Sequence, residues 1–222
     1  LPKMKLLKSG NPPLGIGLPN TEHKDGKYRL RRYSVIELRT SFWNASERAE
    51  IELLPSREFE QSGDYNKHQG GMARSFEDIE EDVLQSEAMK KICLAFKHVN
   101  NLIDGQEVEI HQMRVMTMED GTAPVSPEGI HQDGFDYIAM VGVHRQNIHG
   151  GELLVYQNRD SFARASPDTP SPKTMPLMHY TLKDGEMICI NDRELWHNAS
   201  PIEAKNKKEQ GFGDWFILCA TK

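Results

Sequence analysis

From residue 105 onward the chain breaks into short apolar runs separated by polar turns. The runs are VEIHQMRVMTM (108–118), DYIAMVGVHR (136–145), GELLVYQN (151–158), PLMHYTL (176–182), EMICI (186–190), LWHNASPI (195–202) and DWFILCAT (214–221). Runs of this length, rich in β-branched and aromatic residues, predict strands, and Asp184-Gly185 between two of them is a two-residue hairpin signal. Upstream, YRLRRYSVIEL (28–38) predicts a further strand, whereas 41–74 is polar and turn-rich. Between these regions Ile79, Val83, Ile92, Phe96 and Val99 recur at helical spacing and predict one amphipathic helix over 76–102. Ser75 is its expected cap, with Asp78 completing an imperfect capping box.

Many strands, no alternating helices and one helix near the N-terminus argue against a doubly wound parallel sheet. They predict a mainly β (α+β) jelly-roll sandwich with N-terminal helical support. Two long segments interrupt the strands, EDGTAPVSPEG (119–129) and RDSFARASPDTPSPKT (159–174), each read as surface decoration or a lid. Residues 1–27, rich in Gly, Pro, Lys and Asn, read as a flexible arm, and 28–222 as a single domain.

Composition narrows the partners. The formal net charge of −6 comes without a long basic run, which argues against nucleic acid or an anionic membrane as the main partner. No apolar stretch approaches the roughly 20 residues that span a bilayer, and the first residues lack a signal-peptide core. The three cysteines, Cys93, Cys189 and Cys219, are widely spaced among apolar neighbours and read as buried thiols of a reducing, cytoplasmic setting. Oligomeric state is not encoded in any of these features.

Candidate chemistry begins at GIHQDGFDYIAMV (129–141). In an extended chain residues i and i+2 point the same way, so His131 and Asp133 can aim at one point. H-x-D is common by chance, so its setting matters: the pair opens a strand after a loop, and His197 stands at the start of a later strand. Two imidazoles and a carboxylate on the rim of a jelly roll make a facial triad suited to non-haem Fe(II), with three positions open. Zinc is the competing ion, but H-E-x-x-H is absent, and with it the usual general base of metal-assisted hydrolysis. The structural alternative is that the histidines are ordinary core or loop residues. His111, His144, His149 and His179 are set aside as non-ligands.

Several stretches together resemble the bacterial Fe(II)/2-oxoglutarate dioxygenases that hydroxylate free amino acids, typified by L-isoleucine 4-dioxygenase. They are RLRRYS (29–34), QGGMARSF (69–76), HQMR (111–114), HQD (131–133), HGGELLVY (149–156), HNASPI (197–202) and the closing FGDWFILCATK, in an order spanning roughly 28–222. The resemblance implies a double-stranded β-helix with His131, Asp133 and His197 as iron ligands. It further implies 2-oxoglutarate as a chelating cosubstrate and O2 as oxidant, giving succinate, CO2 and a hydroxylated aliphatic carbon.

One departure stands out. Such families carry an arginine on the last strand to pair with the distal carboxylate of 2-oxoglutarate, and here Gly213 occupies that position. Arg114 is the first expected substitute, with Arg145 and the Lys205/Lys207/Lys208 cluster behind it, and an arginine restored at 213 is expected to tighten cosubstrate binding if the position was vacated. For the amino-acid substrate, Arg29, Arg31 and Tyr33 share one face of the first strand; Arg74 follows Gly70-Gly71; Phe135, Tyr137 and Trp196 flank the ligands as candidate pocket walls. Each also has a plain reading as charged outer face, loop tie or packing. Two alternatives accompany the amino-acid hydroxylase: the same chemistry on a peptide or protein side chain, and a non-catalytic metal-retaining jelly roll.

Overall fold

The computed structural model describes residues 28–62, 71–157 and 175–222. The arm at 1–27 and the segment 159–174 lie outside the described residues. The first strand, β1 (Arg29–Trp43), is longer than expected and turns at Asn44-Ala45 into β2 (Ser46–Leu53). Both turn residues have positive φ (49° and 61°), the geometry of a two-residue hairpin turn. The 41–74 region read as turn-rich therefore contains an edge strand. It buries only Ala49 and Ile51 and presents Glu and Arg outward, so it carries no apolar run.

The expected single helix is two: α1 (Glu81–Leu84) and α2 (Glu87–Asn100). Ser86 caps the second, its Oγ accepting the Met89 N–H at 3.2 Å. Ser75 caps nothing and donates to Glu58 instead. Ile79, Val83 and Phe96 are buried as predicted, but Val99 is 61% exposed, on the outer side of α2.

The remaining strands are β3 (Gln106–Met116), β4 (Thr122–Ala123), β5 (Tyr137–Gln146), β6 (Ile148–Gly150), β7 (Leu153–Tyr156), β8 (Met178–Tyr180), β9 (Met187–Asn191), β10 (Trp196–Ala199), β11 (Ile202–Ala204) and β12 (Phe212–Ala220). They form a six-stranded antiparallel sheet in the order β2-β1-β3-β12-β5-β9 and two three-stranded sheets, β10-β7-β8 and β4-β11-β6. This is the mainly β jelly-roll architecture that the apolar runs predict.

Alternation along the large sheet builds two cores. Ile36, Val108, Ile110, Phe216 and Leu218 face α2, where they meet Met89, Cys93 and Phe96. Met113, Val115, Ile138, Met140 and Trp215 face the small sheets, meeting Leu153, Val155 and Ile202. At roughly 25 cal/mol per Å² of apolar surface, this double burial is what holds the sandwich closed. All three cysteines are free thiols. No helix among the described residues is long and apolar enough to cross a membrane.

Candidate metal centre

The three candidate ligands are gathered by backbone pairing. His131 and His197 form an isolated antiparallel bridge, each N–H donating to the other's carbonyl at 2.9 Å, which adds the 131 region to the edge of β10. Gly134 then turns the chain with φ of 93°, a conformation that side chains disfavour. The Asp192 carboxylate fills the turn and accepts the backbone N–H groups of Asp133, Gly134 and Phe135 at 3.2, 2.8 and 3.2 Å.

Side-chain bonds fix what each ligand offers. His131 Nδ1 lies 2.8 Å from the Gly129 carbonyl, which can only accept, so Nδ1 carries the proton and Nε2 presents its lone pair. That Nε2 is 3.6 Å from Asp133 Oδ1, and His197 Nε2 is 3.5 Å from Asp133 Oδ2. The ligand atoms of the three residues all lie within 4.8 Å of one another, and no other such group occurs among the described residues. Both imidazoles are buried, and their ring centroids are 4.3 Å apart. Two nitrogens and a carboxylate converging on a cavity with one side left to small molecules fit a six-coordinate Fe(II) better than a closed zinc site.

Charges follow from this packing. Burial alone would raise the Asp133 carboxyl, but the hydrogen bond and charge of His197, with His131, hold it well below the usual carboxylate range. Burial also lowers His197, yet Asp133 outweighs it and raises the imidazole; His131 is lowered, by burial and then by His197. Asp192 is pushed up to about 6 by burial and by the neighbouring Asp133 charge.

Residues that the sequence pattern did not single out complete the centre. Asp192 Oδ1 lies 3.6 Å from His197 Nδ1, the carboxylate–imidazole arrangement that orients metal-binding histidines. Gln61 Nε2 donates to Asp133 Oδ1 at 3.0 Å, and Arg74 Nη2 approaches Gln61 Oε1 at 3.4 Å. Glu128 is almost fully buried, with Oε1 3.4 Å from His131 Nε2 and Oε2 3.8 Å from Arg29 Nη1. Only Asp192 had a local signal, lying five residues before His197.

The other expected residues separate into two groups. Arg29, Arg31 and Phe135 line the same cavity as the three ligands. Desolvation in the cavity, and then the charges of Arg29 and Arg74, lower the half-buried Arg31 guanidinium to about 9. Tyr33 follows on the same face but is committed to packing: its OH donates to Glu109 at 2.8 Å and its ring stacks on His111. Arg74 acts on the centre through Gln61, its guanidinium 4.9 Å from the Phe59 ring centre. Tyr137 and Trp196 are half-buried and absent from the cavity wall; Trp196 is one residue from His197 on β10 and so projects to the other side.

The expectation for Arg114 fails on geometry. His111 and Met113 of β3 line the cavity, so Arg114 projects from the opposite face. There it pairs bidentately with buried Asp214, at 2.6 and 2.7 Å, and covers the Phe212 ring. Lys205, Lys207 and Lys208 are exposed. The proposed restoration at 213 is also overturned: a Cβ there would stand 2.1 Å from Trp215 Cη2, because the indole folds over the glycine. Gly213→Ala should therefore cost about 1–3 kcal/mol of stability through overpacking, measured by denaturant unfolding, and Gly213→Arg should not improve cosubstrate binding.

Several solved structures share the fold, among them the following three. A bsmA homolog from Methylobium petroleophilum PM1 is 23% identical with a TM-score of 0.69, over 93% of this chain and 77% of that one. IDO from Bacillus thuringiensis is 17% identical with a TM-score of 0.63, over 87% and 78%. The Fe(II)/(alpha)ketoglutarate-dependent dioxygenase TqaL is 14% identical with a TM-score of 0.57, over 88% and 67%. No curated protein matches. The family profile described as 2OG-Fe dioxygenase matches residues 16–219, nearly the whole chain and a range that contains the three candidate ligands. The chain thus belongs to the 2OG-Fe dioxygenase family, whose chemistry uses Fe(II), 2-oxoglutarate and O2.

Proposed function

We propose that the protein hydroxylates an aliphatic carbon of a free L-amino acid. The observation that carries this reading is the pairing of opposite charges on one wall of the metal cavity. Arg29 and Arg31 offer guanidiniums, and Glu128 a carboxylate held below its usual range by Arg29 and His131 against its burial. A zwitterion carries the complementary pair, a carboxylate for an arginine and an ammonium for Glu128. Much of the remaining lining is apolar, with Val125, Met140, Leu153 and Leu182 suited to an aliphatic side chain.

Bound Fe(II), with 2-oxoglutarate and O2, supplies the oxidation: one oxygen atom enters the C–H bond and the other leaves in succinate, with release of CO2. The protein's own part is placement. Charged groups at one end fix the head of the substrate, so the reacting carbon is set by its distance from that head rather than by its chemistry. The resemblance of residues 29–34, 131–133 and 197–202 to free amino-acid hydroxylases supports the same reading.

Purified protein with Fe(II), ascorbate, 2-oxoglutarate and each of the twenty amino acids should form succinate above background only with aliphatic members. The N-acetyl amide of the best substrate should lose at least tenfold in kcat/KM, since both charges that meet Arg31 and Glu128 are gone. Equal background for all twenty, or faster turnover of the blocked form, overturns the proposal.

A further inference from the structure

2-Oxoglutarate has two ends. Its 2-oxo acid end is the one that chelates metal, and its distal carboxylate needs a cationic partner a few carbons away. The last strand offers none, because Gly213 has no side chain and the Trp215 indole fills the space beside it. Arg29 and Arg31 line the cavity from β1; a replacement at the place of Gly213 itself comes from a strand beside β12 and reaches the same face.

Directly across the β5–β12 pair from Gly213 stands Arg145. Simple alternation points it the wrong way: counted from Met140, which lines the cavity, position 145 falls on the helix-facing side. The ladder, however, is irregular there. Trp215 pairs with Gly142 and Asp214 with His144, leaving Val143 as an extra residue on β5. A bulge of one residue reverses the alternation beyond it. Arg145 consequently shares the face of Gly213 and Trp215, while His144 falls with Asp214 on the outer face, beside Phe212.

The contacts agree with this count. Arg145 Nη2 donates to the Gly150 carbonyl. Nη1 reaches the inner wall, 3.2 Å from where a Gly151 Cβ would stand; Gly151 and Trp215 both line the cavity. Gly151 has φ of 66° and no side chain, so the guanidinium packs directly behind this lining residue, beside Ile202 and Trp215. Nη1 is buried and makes no hydrogen bond among the described residues. A buried donor left without an acceptor is costly, and a bound carboxylate would satisfy it.

We propose that Arg145 receives the distal carboxylate of 2-oxoglutarate, a guanidinium supplied from β5 through the Val143 bulge in place of one on β12. Arg29 and Arg31 are left to the substrate. The inference rests on family membership and not on the identity of the substrate.

The test is calorimetric titration of the Mn(II)-loaded protein, without O2, with 2-oxoglutarate and with 2-oxobutyrate, which keeps the chelating head and lacks the distal carboxylate. Wild-type protein should prefer 2-oxoglutarate. Arg145→Gln should weaken 2-oxoglutarate about 10- to 100-fold, the range of a lost charge-assisted hydrogen bond, and leave 2-oxobutyrate within about twofold. Arg145→Lys, which keeps the charge and loses the fork, should fall between. Unchanged 2-oxoglutarate affinity in Arg145→Gln, or equal weakening of both acids in both variants, overturns the assignment; the second outcome is what a structural role alone would give. Wild-type protein that binds neither acid would instead strike at the family chemistry.

Discussion

Asp133→Ala is expected to reduce substrate-dependent succinate formation to background and to remove the stabilisation of the protein by added divalent metal. Asp133 is the only anionic member of the triad, and both its oxygens face an imidazole Nε2, at 3.6 and 3.5 Å. Without it, two neutral imidazoles remain to hold a divalent cation in a wall that also contains Arg31, and nothing else in the triad balances the charge. A metal at one hundred times its dissociation constant stabilises a folded protein by about 2.7 kcal/mol, and the variant should lose that increment in a thermal scan with and without Mn(II). The scan separates loss of metal from loss of fold, because the metal-free variant retains its unfolding transition. An Asp133→Ala protein that still forms succinate at the wild-type rate would remove this carboxylate from the chemistry.

The sequence made the triad legible for a local reason: a two-residue spacing in extended chain is enough to align His131 with Asp133, and His197 opens a strand of its own. The apolar runs made the jelly roll legible in the same way, because one buried face per strand is written directly into composition. What escaped depends on relations between distant segments. Gln61 reaches Asp133 from a loop, and Glu128 meets Arg29 from a segment about a hundred residues away, so neither has a pattern in its own neighbourhood. β2 escaped because an edge strand with two buried residues looks like loop. The break at Ser86 escaped because Val83 and Met89 both face the core on either side of it.

Arg114 and Arg145 show the same limit from the other side. Resemblance of the HQMR stretch suggests Arg114 for the cosubstrate, yet alternation from Met113 turns it to the opposite face; counting along a regular β5 puts Arg145 on the helix side, and the structure reverses that. One extra residue at Val143, visible only in the pairing of β5 with β12, puts Arg145 on the face of Gly213 and Trp215. Period-2 reasoning holds between irregularities and fails across them.

Asp192→Asn should weaken metal binding by about 10- to 100-fold, the usual cost of losing a partner behind a metal ligand, while changing the side chain's shape very little. Two jobs converge on this carboxylate. It accepts three consecutive backbone N–H groups, from Asp133 to Phe135, which sets the direction in which Asp133 leaves the turn. It is also the negative group beside His197 Nδ1, an atom that has no hydrogen-bond partner among the described residues. An amide has one acceptor oxygen where the carboxylate has two, so one of the three N–H groups must face an NH2 group, and the His197 imidazole loses its anion. Misplacing buried donors in this way costs about 1–3 kcal/mol, so denaturant unfolding of the metal-free variant should shift by that amount. Competition with a chelator, read as the Mn(II) dissociation constant, measures the first effect. A variant with unchanged metal affinity and a lowered unfolding midpoint would assign Asp192 to the turn only; a variant unchanged in both would show that the backbone of 133–135 holds its course without it.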